Sequence, residues 1–448
     1  MKIYDTKSRE LQEVGTTHGV MNMYCCGPTV YRDAHVGNLR TFLLSDLIVR
    51  IATLEGMKVN AIQNITDVGH MSDDFVEHDK MLQQATLEKI DPFEIARKYE
   101  ERFHADLARL NIIPANQYPR ASESIELMQN LILKLIESGF AYVGDDRSVY
   151  FEAQKFSTYG AISGNKLDSL MPGHRYEYHN DGVKRFHADW ALWKSAGDRT
   201  QMVWESPWGV GFPGWHIECS AMSLDLLEGH VDVHVGGIDL RFPHHENERA
   251  QSNAVIGAEA VDLWVHGEHL LFEGRKMSKS SGNVVLVEDL VSKGIDPLAL
   301  RLCFLENRYR SQMDLTWNSL QAADETLTRW RTRMSEWSTS NEVTSDQEIA
   351  HAFSNDIDTP RAIMRLREIE KSDLLNRREL FLFADQVLGL DLARPVAKKE
   401  LTDQMQKLLN ERVKARSEKR WADSDELRVQ LENLGLQIKD TAEGQIWS

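Results

Sequence analysis

Met21, Met23 and Tyr24 form a short apolar run that stops at Cys25-Cys26-Gly27-Pro28-Thr29, so residues 20–31 read as a strand followed by a turn. From Thr41 to Leu54 the residues Phe42, Leu43, Leu47, Ile48 and Ile51 recur at helical spacing. Lys58 to Ile65 is a second strand candidate, in which Val59 and Ala61 alternate with polar neighbours. Strand, helix and strand at this spacing predict a βαβ unit. Residues 86–111 predict one amphipathic helix and Ser122 to Ser138 another. Between Gly139 and about Trp208 short aromatic runs (Tyr142, Tyr150, Phe151, Trp190, Trp193) alternate with Gly, Asp and Pro, the texture of an inserted module. After Gly214 the βα pattern returns, with Val231 to Val235 as a strand and His244 to Ile256 as a helix. From about 318 the chain reads as almost wholly helical. Asp358-Thr359-Pro360 is a helix start, and a last helical stretch, Leu401 to Leu434, stops at Gly435. No internal repeat or low-complexity tract is present.

The chain has 448 residues, which predicts two to four domains. Its start is polar and no apolar segment is long enough to cross a bilayer, so the expectation is a cytoplasmic protein without a membrane partner. Four cysteines (Cys25, Cys26, Cys219, Cys303) are too few for a disulfide framework in a chain of this length. The net charge of −17 speaks against nucleic acid on average, yet a local basic stripe is enough for binding.

Two short motifs bear phosphate chemistry. His35-Val36-Gly37-Asn38 stands just before the Thr41 helix, where a glycine admits a ligand to the backbone and a helix N-terminus favours phosphate. Lys276-Met277-Ser278-Lys279-Ser280 puts two lysines on a Gly-bounded loop, suited to charge that builds as pyrophosphate leaves. A lone histidine at a turn is usually a surface or capping residue, and a lone pair of lysines usually a solvated loop. In this order the two resemble the HIGH and KMSKS signatures of class I aminoacyl-tRNA synthetases. Asn38 departs from the HIGH consensus, but an amide also donates a hydrogen bond.

The strings CGPTVY at 26–31, PGWHIECSAM at 213–222, GGIDL at 236–240 and FPHHENE at 242–248 resemble those of cysteinyl-tRNA synthetases, and the likeness runs over essentially the whole chain. It implies a zinc ion, one per chain, held by Cys26, Cys219, His244 and Glu248. No local Cys-x-x-Cys clamp marks such a site. His244 and Glu248 are four residues apart and share a helix face, while His245 is expected to point elsewhere. A zinc ion with an open position takes a thiolate far better than a hydroxyl, which separates cysteine from serine without an editing domain. The resemblance further implies that Gly27, Thr29, Thr66 and Trp215 line the cysteine pocket. It also implies that ATP, with Mg2+, meets His35, Gly37, Asn38, Gly237, Asp239 and Lys279, and that His35, Asn38, Lys276 and Lys279 are catalytic. Gly236-Gly237-Ile238-Asp239, at the carboxyl end of the Val231 strand, reads equally as an ordinary turn when taken alone. Three departures from the family pattern stand out: Val68 to His78 intervenes before Asp79-Lys80-Met81, Phe212 stands where relatives often have Arg, and Val235 replaces a glycine.

Near the C-terminus Lys398, Lys399, Lys407, Arg412, Lys414, Arg416, Lys419 and Arg420 fall in a helical region with Trp421 as a stacking surface. Interleaved acids give the same run the look of a solvated helix face. The resemblance, including Gly444 to Trp447, implies an anticodon-binding tail in which Arg412, Arg416, Arg420 and Trp421 meet cysteine tRNA. The expected architecture is α/β: a Rossmann-type catalytic domain (1–111 and 206–265), a connective insertion (112–205), a KMSKS-bearing linker (266–317), a helical bundle (318–397) and a C-terminal domain (398–448), acting as a monomer. Two rivals are the cysteine ligase of mycothiol synthesis, which is shorter at the C-terminus, and a non-catalytic paralogue that binds cysteine or RNA.

Overall fold

The computed structural model describes the chain apart from residues 70–78, 168–169, 171–182, 278–281, 340–344, 397–400, 435, 437, 442–443 and 448. It divides into two compact units, Met1–Ala393 and Arg394–Ser448. The first begins with a hairpin, β1 (Lys2–Asp5) and β2 (Glu10–Glu13), and then enters the predicted βαβ unit: β3 (Val20–Cys25), α1 (Val36–Leu54) and β4 (Lys58–Gln63). β3 and β4 pair in parallel, Met21 beside Val59 and Met23 beside Ala61. A helix must cross between them to bring the chain back to the same end. α1 starts several residues before the predicted helix, because His35 and Asn38 form a reciprocal capping box. It buries Leu39, Phe42, Leu43, Leu44, Leu47, Ile48 and Ile51, and two charged residues with them, Arg40 and Asp46.

The helix expected over 86–111 is two helices, α2 (Lys80–Glu88) and α3 (Pro92–Arg109). Lys89 turns left-handed at φ 58°, and Asp91-Pro92 restarts the helix with an N-cap aspartate and a first-turn proline. α4 (Ile125–Glu137) leads into an antiparallel sheet of four short strands in sequence order: β5 (Ala141–Val143), β6 (Val149–Phe151), β7 (Trp190–Ser195) and β8 (Gly211–Pro213). Phe151 stacks on Trp190 at 4.4 Å between ring centres, so the aromatic texture of this stretch is its core. The parallel sheet then resumes through α5 (Trp215–Leu226), β9 (Val231–Gly237), α6 (His244–Ile256) and β10 (Val261–Gly267). Its order is β10-β9-β3-β4, all parallel, with β9 buried along its whole length.

A small sheet follows, in which β11 (Leu270–Phe272) pairs antiparallel with β12 (Arg275–Lys276) and parallel with β13 (Met313–Leu315). α7 (Val287–Ser292) and α8 (Pro297–Leu305) lie between β12 and β13. The helices α9 (Trp317–Glu336), α10 (Gln347–Ser354), α11 (Thr359–Lys371) and α12 (Arg377–Leu388) complete the unit, with Asp358 capping α11. Arg301 of α8 is fully buried. It meets Asp46 of α1 at 2.6 Å and donates to the carbonyls of Leu110, Asn111 and Leu388. Asp46 also accepts from Arg50 and from the Ile113 amide.

The second unit holds α13 (Asp403–Ser417), α14 (Trp421–Asn433) and a hairpin, β14 (Ile438–Thr441) and β15 (Gly444–Trp447), around Met405, Leu409, Leu431, Leu436 and Ile438. The single helix expected over 401–434 is thus broken, and Lys419 takes φ 59° at the turn. The predicted stop, Gly435, lies outside the described residues. Among the described residues no helix is long and apolar enough to cross a membrane. Replacing Asp46 by Ala strands a buried guanidinium. The expected loss is on the order of 3–5 kcal/mol, read as a lower denaturant midpoint at unchanged slope.

Candidate active site and metal centre

The carboxyl ends of β3, β4 and β9 converge on one cavity of about 170 Å³. Its wall contains Cys26, Gly27, Thr29, Asn38, Thr66, Trp215, Cys219, Gly237, Asp239 and His244, so ten residues singled out in the sequence meet there. The backbone explains why. The Cys26 amide donates to the Val235 carbonyl, which hooks the end of β3 onto β9. The Gly27 amide donates to Asn64 Oδ1 at 2.8 Å, and a Cβ on Gly27 would stand 1.6 Å from the Asn64 carbonyl oxygen, so only glycine fits. The Val30 amide then donates to the Thr66 carbonyl, and the Thr66 amide donates to the Pro28 carbonyl. Thr66 Oγ1 donates to Glu218 of α5 at 2.9 Å. A second hollow of about 230 Å³ shares Thr29, Asn38 and Trp215 with this wall.

At the back of the cavity the ligand atoms of Cys26, Cys219, His244 and Glu248 lie within 4.8 Å of one another, all buried. Cys26 Sγ is 3.8 Å from Cys219 Sγ, and His244 Nε2 is 2.9 Å from Glu248 Oε1. Tetrahedral zinc with Zn–S bonds of about 2.3 Å separates two sulfurs by roughly 3.8 Å, so the thiol pair fits. His216 Nδ1 is 2.9 Å from His244 Nδ1, which leaves His244 Nε2 for the cluster and supplies the outer hydrogen bond that metal-bound histidines carry. Among the described residues Glu248 Oε2 makes no hydrogen bond, although His234 Nε2 stands 3.4 Å from it. Burial raises the Cys26 thiol well above its ordinary pKa and lifts Glu248 to about 7. A hydrogen bond with Cys26 pulls Cys219 down, but burial and the carboxylates of Glu248 and Glu218 carry it to about 11. The two thiols stay protonated at neutral pH unless a cation sits beside them.

Three histidines went unremarked or were misjudged in the sequence. His234 Nε2 is 3.4 Å from Cys26 Sγ and His245 Nε2 is 3.3 Å from it, so His245 faces the cluster from behind rather than pointing away. His216 was not singled out at all. His234, in the strand Val231-Asp-Val-His-Val that is buried along its whole length, was a usable signal, because buried polar side chains there need a purpose.

At the other end of the cavity stands the N-terminus of α1. The Asn38 amide donates to His35 Nδ1, and Asn38 Oδ1 accepts from the His35 amide, both at 3.2 Å. Burial and the nearby Arg32 charge lower the His35 pKa, so its ring is neutral with Nδ1 accepting and the proton on Nε2. A Cβ on Gly37 would stand 2.8 Å from Met277, and Val36 donates to the Val285 carbonyl, so the two signature motifs touch. Lys276 is exposed at the end of β12, while Lys279 lies outside the described residues. A Cβ on Gly237 would stand 2.4 Å from Asp239 Oδ1. In the second unit Arg412, expected to face RNA, is buried and bound to Asp440 and Gln445. Arg416 lies over Trp421, which is exposed, and Arg420 pairs with Glu418 and Asp423 at the surface.

Comparison with known proteins agrees with this geometry. Solved structures of Mycobacterium tuberculosis methionyl-tRNA synthetase with methionyl-adenylate share the fold at a TM-score of 0.57, 14% identity, 83% of this chain and 90% of theirs. The family description "tRNA synthetases class I (C) catalytic domain" matches residues 12–325, and "Cysteinyl-tRNA ligase anticodon binding domain" matches 398–447. The fold and cavity are therefore those of a class I aminoacyl-tRNA synthetase. The chain is 39% identical to "Cysteine--tRNA ligase 1" of Burkholderia lata over 99% of its length and 96% of the relative's. It is 37% identical to the cysteine–tRNA ligase of Thermus thermophilus over 99% and 98%. It belongs to the cysteinyl-tRNA synthetase family.

The capping box makes a prediction independent of chemistry. His35→Ala should lower stability by about 1 kcal/mol, and His35→Asn, which still caps, by a few tenths at most. Denaturant unfolding of the two variants checks it.

Proposed function

We propose that this chain activates L-cysteine with ATP and transfers the cysteinyl group to the 3′ end of cysteine tRNA. The supporting observation is the meeting of Cys26, Cys219 and His244, backed by the Glu248 carboxylate, with Thr66, Trp215, Asn38 and Asp239 around a single small cavity. In the first step the carboxylate of cysteine attacks the α-phosphorus of ATP, and pyrophosphate leaves with its Mg2+. His35 Nε2–H and the Asn38 amide donate to phosphate oxygens. Lys276 and Lys279 oppose the charge that builds in the transition state. Asp239 holds the ribose hydroxyls, and Gly37 and Gly237 let the nucleotide approach the backbone. Thr66 and Trp215 shape the amino-acid end, with Gly27 and Thr29 as its floor.

Cys26, Cys219, His244 and Glu248 would hold one zinc ion, which when bound takes up the substrate thiolate and disfavours the serine hydroxyl. An overlapping set of Cys26, His234, His245 and Glu248 is also close enough to ligate. Cys219 and His244 line the cavity and His234 and His245 do not, which favours the first set. Residues 112–205 serve as the connective module between the halves of the catalytic domain. In the C-terminal domain Arg416, Arg420 and Trp421 offer charge and a stacking face to anticodon bases, and Arg412 braces the hairpin behind them. That domain favours tRNA over the glucosaminyl-inositol acceptor of mycothiol synthesis. The protein works as a cytoplasmic monomer.

The reading is tested by cysteine-dependent ATP–pyrophosphate exchange, tRNA charging and metal analysis on the same preparation. No exchange at full zinc occupancy would reduce the chain to a binding paralogue. Lys279→Ala should slow adenylate formation on the order of a hundredfold while cysteine affinity changes little. An unchanged rate removes it from the mechanism. Cys219→Ser should weaken zinc and cysteine binding together and erode the preference over serine, with ATP binding retained. X-ray absorption at the zinc edge should gain one sulfur neighbour when cysteine binds. If the sulfur count stays constant, selectivity belongs to the pocket around Trp215 and Thr66.

A further inference from the structure

Arg40 lies two residues after Asn38 on α1, is 5% exposed, and is absorbed by neither the cavity nor the metal cluster. Its guanidinium makes four hydrogen bonds, and all four acceptors are backbone carbonyls. Nη1 donates to Glu268 at 2.9 Å and His269 at 3.1 Å. Nη2 donates to Arg308 at 2.9 Å and Ser311 at 2.7 Å. One arm of the fork thus serves the junction between β10 and β11, and the other the junction between α8 and β13. The Glu268 amide donates to the Tyr309 carbonyl, so the two junctions are also tied to each other. β11 and β13 are neighbours in the small sheet, and the other neighbour of β11 is β12, which carries Lys276.

The placement is costly for a mere strut. Burial pulls the Arg40 pKa down to about 10, with the Glu268 carboxylate the opposing influence. A charge held by carbonyl dipoles in place of a bonded carboxylate is retained where geometry matters, because the planar fork fixes direction as well as distance. We propose that Arg40 is a positioning residue for adenylate formation, setting the distance between the α1 phosphate site at His35–Asn38 and the hairpin that presents Lys276. The cysteine end of the cavity is built from the ends of β3 and β4 and from α5 and α6, and none of the four acceptors lies on those elements. Arg40 therefore acts on the ATP half alone.

This rests on the adenylate-forming reading above, so wild-type exchange with cysteine is the control. If the wild type gives none, that reading has failed and Arg40 is not in question. Arg40→Lys keeps the charge but offers three donors from one atom, so it cannot span both junctions. Expected is a fall in kcat for pyrophosphate exchange of about tenfold or more with a raised KM for ATP, while zinc content and the KM for cysteine stay within about twofold. In a Lys276→Ala background the same substitution should cost less than about threefold, because the group it positions is gone. Equal losses in both backgrounds, or a cysteine KM that rises with that of ATP, would overturn the proposal. If Arg40→Lys does not fold, Arg40→Gln takes its place. If neither folds, Arg40 belongs to the fold and the proposal falls.

Discussion

The buried ion pair between Asp46 and Arg301 is the constraint on which the catalytic unit depends. A guanidinium and a carboxylate at 2.6 Å, both sealed from water, are tolerable only when their remaining donors and acceptors are met. Here they are met by Arg50, by the Ile113 amide and by carbonyls at Leu110, Asn111 and Leu388. These partners come from α1 itself, from the end of α3 with the residues just after it, and from the end of α12. Gly389, just beyond, has no room for a side chain, since a Cβ there would stand 2.6 Å from Arg301. The helix that His35 caps is thereby fixed to the bundle at its middle and, through Arg40, to the junctions flanking the small sheet. One helix carries the reference frame for the whole unit.

The metal cluster works by the opposite logic. It is surrounded by groups that resist charge: thiols pushed up by burial, and the neutral histidines His234 and His245 held far below their ordinary pKa by burial. The ring of His245 passes its other nitrogen to His266 at 2.8 Å, and His266 passes its own to Thr6. The back of the site is thus a hydrogen-bonded layer with little freedom to reorient. The front of the cluster, at Cys26, Cys219 and His244, opens on the cavity.

The sequence announced three strands of the parallel sheet and the two ends of the cavity, because elements such as β3 and the α6 helix have sharp borders; the edge strand β10 was not read. It did not announce the breaks at Lys89 and Lys419. Both lysines take positive φ, and nothing in a lysine's identity signals that conformation as glycine does. The small sheet β11–β13 was invisible, since strands of two or three residues are too short to show alternation. The ligand set was legible only through family likeness, because Cys26 is separated from Cys219, His244 and Glu248 by the whole insertion. His245 was misplaced by assuming that one helix face looks at one target. Cys26 instead sits across the first turn of α6, where successive residues reach it from two sides. Arg412 read as one cation in a basic run, and only its bonds to Asp440 and Gln445 reveal a brace.

The order of strands has a consequence for the newborn chain. β3 is an interior strand whose partner β4 arrives soon after it, but whose other partner, β9, begins only at Val231. During synthesis one edge of β3 therefore waits unpaired while α1 to α5 and the insertion are made, and parallel pairing over such a separation is slow. Cys26 leaves the ribosome with the same long wait, bare of Cys219, His244 and Glu248. Closing the cluster therefore coincides with closing the sheet.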